Sequence, residues 1–155
     1  NENRAHFSLW SMLAAPLFSG NDIRLMNPSV RDVLMNTEVI AIDQDPLGKQ
    51  GFKVKDYGQL ELYYKPLKNG ELAFCVFNRF QHPVKIELNW QKLSIAAWKG
   101  EEGIELPLNI DREEIKLEIR YQIRDLWKKE FLGDTDRPTV AEIAGHDVLM
   151  LKLIK

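Results

Sequence analysis

The feature that most constrains this chain is a run near its start, from Ala5 to Arg24, whose first half is apolar on nearly every helical face. Phe7, Trp10 and Ala14 share one face at i, i+3 and i+7, while Leu9, Met12 and Leu13 cover another. A helix with no wet face must be packed inside something larger. The spacing predicts a helix over about residues 2–14, stopped by Pro16, which lacks the donor that a helix interior requires. Leu17-Phe18 then reads as a short buried strand, and Gly20-Asn21-Asp22 as the polar turn at its carboxyl end. A continuous apolar run feeding such a strand is the signature of a parallel α/β layer. After about residue 50 the pattern becomes antiparallel, so the chain is expected to open inside a fold whose beginning lies upstream.

Asn27-Pro28 starts a second helix, with Asn as N-cap and Pro at the first helical position. Val30, Val33 and Leu34 form its apolar stripe, and Asn36 can end it. Thr37-Glu38 opens a third, carrying Val39, Ile40 and Ile42, and Asp45-Pro46-Leu47-Gly48 turns the chain out of it. From Gly51 the period is two: Leu60, Leu62 and Tyr64 alternate with Gln59, Glu61, Tyr63 and Lys65. Asn69-Gly70 suits the positive φ of a tight hairpin. Leu72 to Phe77 is nearly continuous apolar residues, a central strand buried on both sides, and Val84, Ile86 and Leu88 alternate again. Turns are expected at Gly100-Glu101-Glu102-Gly103 and Asn109-Ile110-Asp111. Ile115, Leu117, Ile119, Tyr121 and Ile123 predict a long strand with one wet face, continued by Asp125-Leu126-Trp127 and turned at Gly133-Asp134. Val140–Ile143 and Val148–Ile154 read as the last strands. The expected fold is mainly β, an antiparallel sandwich over 51–155 behind a helix-strand-helix unit over 1–50.

Charge excludes some functions. The 23 acidic and 21 basic residues are spread without runs, leaving a net charge of −2 and no basic patch for nucleic acid or an anionic membrane surface. No stretch approaches the roughly 18–20 apolar residues of a membrane span. The single cysteine, Cys75, lies in the central strand run, where it cannot form an internal disulfide. Few residues suggest chemistry. Asn21 and Asp22 stand where α/β folds place binding residues, or else simply satisfy the donors of their own turn. His6 has no second ligand at i+4 and reads as a packing histidine. Asp43 and Asp45 are two apart on one backbone, which rarely lets two carboxyls face each other across a bond, and they read as a helix exit. No catalytic residue, metal site or cofactor is assigned.

Several segments together resemble one family. Ala5-His6-Phe7-Ser8-Leu9-Trp10, Ala14-Ala15-Pro16-Leu17 and Gly20-Asn21-Asp22-Ile23-Arg24 are similar to the late-barrel region of α-galactosidases of glycoside hydrolase family 27. Asn36 and Glu38 to Gly51 resemble that family's last barrel helix and its exit. Lys65-Pro66-Leu67, Gly70, Phe77-Asn78-Arg79 and Arg124-Asp125-Leu126-Trp127 fall where its C-terminal β-domain carries similar residues. The resemblance is weakest over about 93–118. It implies a (β/α)8 barrel followed by an antiparallel sandwich, in a retaining hydrolase of terminal α-linked galactose or α-N-acetylgalactosamine. Such enzymes use two Asp residues at roughly 5–5.5 Å, one as nucleophile and one as acid/base. In the family both lie upstream of the helix that starts this chain, in a Lys-Tyr-Asp strand end and an Asn-Asp-Pro-Asp loop. Neither pattern occurs here, so this piece is expected to be inert, with Gly20 to Asp22 a pocket wall at most. The family also favours a secreted or periplasmic location.

Two other readings compete. The sandwich could be a carbohydrate-binding module that stacks sugar on Trp90, Trp98 or Trp127, or a dimerisation domain without chemistry. If the chain is a barrel remnant plus sandwich, residues 1–24 should self-associate or fold back onto the sandwich, and deleting 1–48 should leave a folded monomer.

Overall fold

The computed structural model describes every residue except 21, 93, 100–101 and 108–118; of 98–99 and 102–107 it gives the backbone alone. Among the described residues two antiparallel sheets face each other, and three helices lie against the outer face of the larger one. The helices are α1 (Glu2–Met12), α2 (Pro28–Leu34) and α3 (Thr37–Asp43). The larger sheet has the order β1-β2-β3-β10-β7-β8, and the smaller the order β6-β5-β4-β9. The strands are β1 (Phe52–Asp56), β2 (Leu60–Pro66), β3 (Leu72–Asn78), β4 (Val84–Asn89), β5 (Ser94–Lys99), β6 (Glu102–Pro107), β7 (Gln122–Asp125), β8 (Glu130–Asp134), β9 (Thr139–Ile143) and β10 (Asp147–Ile154).

Local chemistry sets the helix ends as expected. The Asn27 side chain accepts from the Ser29 amide at 2.9 Å, ahead of Pro28. Asn36 does more than end α2: its Oδ1 accepts from the amides of Glu38 and Val39 at 3.1 and 3.3 Å, so it caps α3. The β2–β3 hairpin turns through a 3-10 turn, Lys68–Gly70, with Asn69 at φ 63° and Gly70 at φ 71°.

Alternation then decides which layer each residue enters. Leu72, Phe74 and Val76 of β3 and Leu149, Leu151 and Leu153 of β10 point between the sheets. There they meet Val84, Ile86, Leu88, Trp90 and Ile143 of the smaller sheet and its turns. A chain of edge-to-face rings, Tyr64–Phe74 at 5.4 Å and Phe74–Trp90 at 5.2 Å, runs through this core. The intervening residues, Ala73 and Cys75 of β3 and Val148 and Met150 of β10, point the other way into a second core. That core is completed by Ala5, Phe7 and Met12 of α1 and Val39 and Ile42 of α3. Covering on both faces explains why β3 reads as an unbroken apolar run.

Five expectations differ from the structure. Leu17-Phe18 is not a strand: the Phe18 amide turns back to the Pro16 carbonyl at 3.0 Å, and no described strand pairs with it. Glu102-Gly103 belongs to β6, paired with Trp98 and Lys99; the rest of that expected turn, like Asn109 to Asp111, lies outside the described residues. The long strand through Ile123 is only Gln122–Asp125, its first residues again lying outside those described. Tyr121 instead pairs with the loop residue Thr135 through bonds of 3.0 Å in each direction. Lastly, Asp125 ends β7 rather than prolonging it. Its carboxylate accepts from the amides of Trp127 and Lys128 at 2.9 and 3.0 Å, folding a turn that Lys129 completes at φ 56°. Gly133-Asp134 consequently falls inside β8.

Cys75 is completely buried, and burial pushes its thiol well above the ordinary value. Native chain is expected to resist a thiol reagent until it unfolds. Labelling as fast as a free thiol would place Cys75 at the surface instead.

Candidate functional site

Asp22 is exposed, and its carboxylate is closed by its own neighbour. Arg24 donates from its backbone amide at 3.0 Å, from Nε at 3.0 Å and from Nη2 at 2.9 Å. These bonds hold the Asp22 carboxyl below the usual carboxylate value, as a local turn would. Asn21, its partner in the expected pocket wall, lies outside the described residues. His6 is exposed, with its ring edge-on to Trp10 at 4.5 Å. Asp45 accepts from the amides of Leu47 and Lys68 at 3.0 and 2.9 Å, the helix exit the spacing predicts. Among the described residues no cluster of three His, Cys, Asp or Glu could hold a metal ion.

The aromatic residues are committed too. Trp90 is 1% exposed in the sandwich core and donates its indole N–H to Thr139 Oγ1 at 2.8 Å. Trp127 donates to Ser8 Oγ at 2.9 Å and lies beneath the Arg4 guanidinium. Trp90 offers no ring face for sugar stacking, Arg4 covers one face of the half-buried Trp127, and the Trp98 ring lies outside the described residues. The openings beside the helices differ in character: one of about 550 Å³ is lined by Arg4, Arg31, Asp32, Asn36, Trp127 and Lys129, and another is apolar. A depression of about 290 Å³ on the helical face is lined by Phe7, Trp10, Leu17, Phe18, Leu34 and Ile40, with Ser19 and Gln44 at its polar side. Phe18 is 83% exposed at its rim. Its lining residues include no Asp, Glu, His or Cys, and Ser19 is the hydroxyl among them.

The residues that act together are those joining helices to sandwich, most of which local sequence spacing does not reveal. Arg4 of α1 pairs with the buried Asp147 carboxylate through both guanidinium arms, its Nε at 2.8 Å. Glu38 of α3 receives Arg124 in the same forked way, at 2.9 and 2.8 Å. The Asn36 amide donates to the Leu126 carbonyl at 2.9 Å, so one side chain caps α3 and ties it to the β7–β8 turn. Gly51 donates to the Met12 carbonyl at 2.7 Å where the chain passes from helices to sandwich. The available signal was the Arg124-Asp125-Leu126-Trp127 motif: Arg124, Leu126 and Trp127 contact the helices, and Asp125 folds the turn that presents them.

The Arg124 bonds hold Glu38 below its ordinary value of 4.5. A depressed carboxylate stabilises the fold above its unfolded value and loses that contribution as pH falls through the folded one. Glu38→Gln is expected to cost about 1 kcal/mol at neutral pH. Denaturant melts should show the gap from the parent closing below about pH 4. A gap that persists at acid pH would mean that packing, not charge, is lost.

No helix among the described residues is long and apolar enough to cross a membrane. Residues 57–153 match the family model described as the α-galactosidase C-terminal β-sandwich domain, and residues 1–45 match that of α-galactosidase A. The chain is 36% identical to α-galactosidase A of Cellvibrio japonicus, over 98% of its own length and 35% of the relative's. It is 40% identical to an α-galactosidase of Oryza sativa subsp. japonica, over 98% of its length and 31% of the relative's. It thus spans about a third of the length of the curated relatives it matches. The crystal structure of α-galactosidase I from Mortierella vinacea shares the fold, with a TM-score of 0.77 at 23% identity, over 99% of this chain and 36% of that one. The chain belongs to the family of α-galactosidase C-terminal β-sandwich domains, carrying in front of its sandwich a helical segment of the same enzymes.

Proposed function

We propose that this chain is the C-terminal part of a retaining α-galactosidase that removes terminal α-linked galactose. On this reading residues 1–50 are the end of the catalytic barrel and 51–155 the sandwich behind it. The observation that carries the reading is similarity to α-galactosidases that runs unbroken through both segments. The role of the piece is to hold, not to cut. A retaining mechanism needs a nucleophile and an acid/base about 5–5.5 Å apart. Here Asp22 is tied to Arg24, and Asp45 is spent on turn amides. The apolar depression around Phe7, Trp10 and Phe18 then faces the rest of the barrel, and in its absence a second copy of the chain. The substrate is an α-galactoside reached through the barrel, and the location is secreted or periplasmic.

The reading frame upstream of Asn1 is expected to encode the two Asp motifs. Protein made from that extended frame should hydrolyse an aryl α-galactoside, with proton NMR showing α-galactose as the first product. First release of β-galactose, or an upstream frame without either motif, would refute the proposal.

A further inference from the structure

Lys65 is the anomaly of β2. Alternation places it on the face expected to be wet, yet it is 1% exposed. Its ammonium donates to the Ser11 carbonyl at 3.0 Å and to the Ile42 carbonyl at 2.6 Å. Ser11 and Ile42 belong to the last turns of α1 and α3; the Ser11 carbonyl also accepts from the Ala14 amide, just past α1, at 3.4 Å. Both helices thus aim the negative ends of their dipoles at one cation. Burial draws the Lys65 pKa down, while the negative charge of Asp43 and Asp45 pulls it up. Around it the passage is close. An added Cβ on Gly51 would lie 2.6 Å from the Met12 carbonyl and 3.0 Å from Lys65 Cβ.

We propose that Lys65 is the positioning residue that locks the C-terminal ends of α1 and α3 onto the sandwich. It satisfies two buried carbonyls from separate helices with one side chain, so both helix ends are fixed relative to β2. Residues 13–20 leave directly from the locked end of α1. The lock stands whether or not the chain came from an α-galactosidase.

Hydrogen exchange on the full chain tests it with Lys65→Met, which keeps the stem and removes the donors, and Lys65→Arg, which keeps donors and charge. In Lys65→Met the Ile42 carbonyl loses the Lys65 donor and the Ser11 carbonyl keeps only its long bond from the Ala14 amide, so protection in the last turns of α1 and α3 should fall about 10- to 100-fold. Amides of β3 and β10 should hold, and Lys65→Arg should recover part of the loss. A purely structural stem would give the same result for both variants. Should neither variant fold, reductive methylation of the unsubstituted chain decides: Lys65 should react at least about 10-fold more slowly than the exposed Lys68. Unchanged protection in Lys65→Met, or Lys65 methylated as fast as Lys68, overturns the proposal.

Discussion

A chain lacking residues 1–48 is expected to associate or unfold, rather than to persist as the independent monomer that alternation alone suggests. The reason lies on the outer face of the larger sheet. Tyr63, Leu67, Val148 and Met150 are buried in a core that the helices help to close. Uncovering large side chains costs about 1.5–3 kcal/mol each, and a domain's whole stability is about 5–15 kcal/mol. The same deletion strips Lys65 of both its acceptors and Arg124 and Asp147 of their partners. Light scattering and circular dichroism on the truncated chain check this. A monomer that melts with the parent would mean the helices contribute little to the sheet beneath them.

Gly51→Ala should be the most damaging single methyl in the chain's passage from helices to sandwich. The new Cβ would meet the carbonyl oxygens of Met12 at 2.6 Å and Tyr64 at 2.9 Å. Both oxygens are backbone and neither can swing away, so α1 must shift from the sheet and the Gly51–Met12 hydrogen bond must stretch. Overpacking of this kind costs about 1–3 kcal/mol. For a chain of this size the thermal midpoint should drop by about 3–10 °C. An unchanged midpoint would show that the junction is looser than these distances state.

How far residue pattern reaches can be judged from neighbouring strands. The run Leu72 to Phe77 announced a central strand because both of its faces are apolar, and both are covered. In β2 the same burial was hidden, since Glu61 and Lys65 look like a solvent face by type. Glu61 is instead buried with Tyr63, Lys53 and Arg79 around it, and Lys65 is consumed by helix carbonyls. Polar residues that are buried because something folds over them carry no local mark of it. Pairs such as Arg4–Asp147 and Arg124–Glu38, separated by 143 and 86 residues, are likewise set by the tertiary fold and not by spacing. Caps were legible because Asn27-Pro28 and Asn36 act within their own turn. The strand expected at Leu17-Phe18 failed for the converse reason, because a strand is defined by a neighbour and none of the described strands lies there. At the candidate site, Asp22 and Asp45 are held by turn donors, as local pattern allowed.

As proposed above, this chain serves a glycosidase by holding structure and carries out no chemistry itself. The most direct measurement is release of the aryl group from an aryl α-galactoside by the purified chain. No release above buffer is expected, because neither Asp motif of the family occurs in this sequence and Asp22 and Asp45 are held by turn donors. Steady turnover that Asp22→Asn or Asp43→Asn abolishes would contradict it.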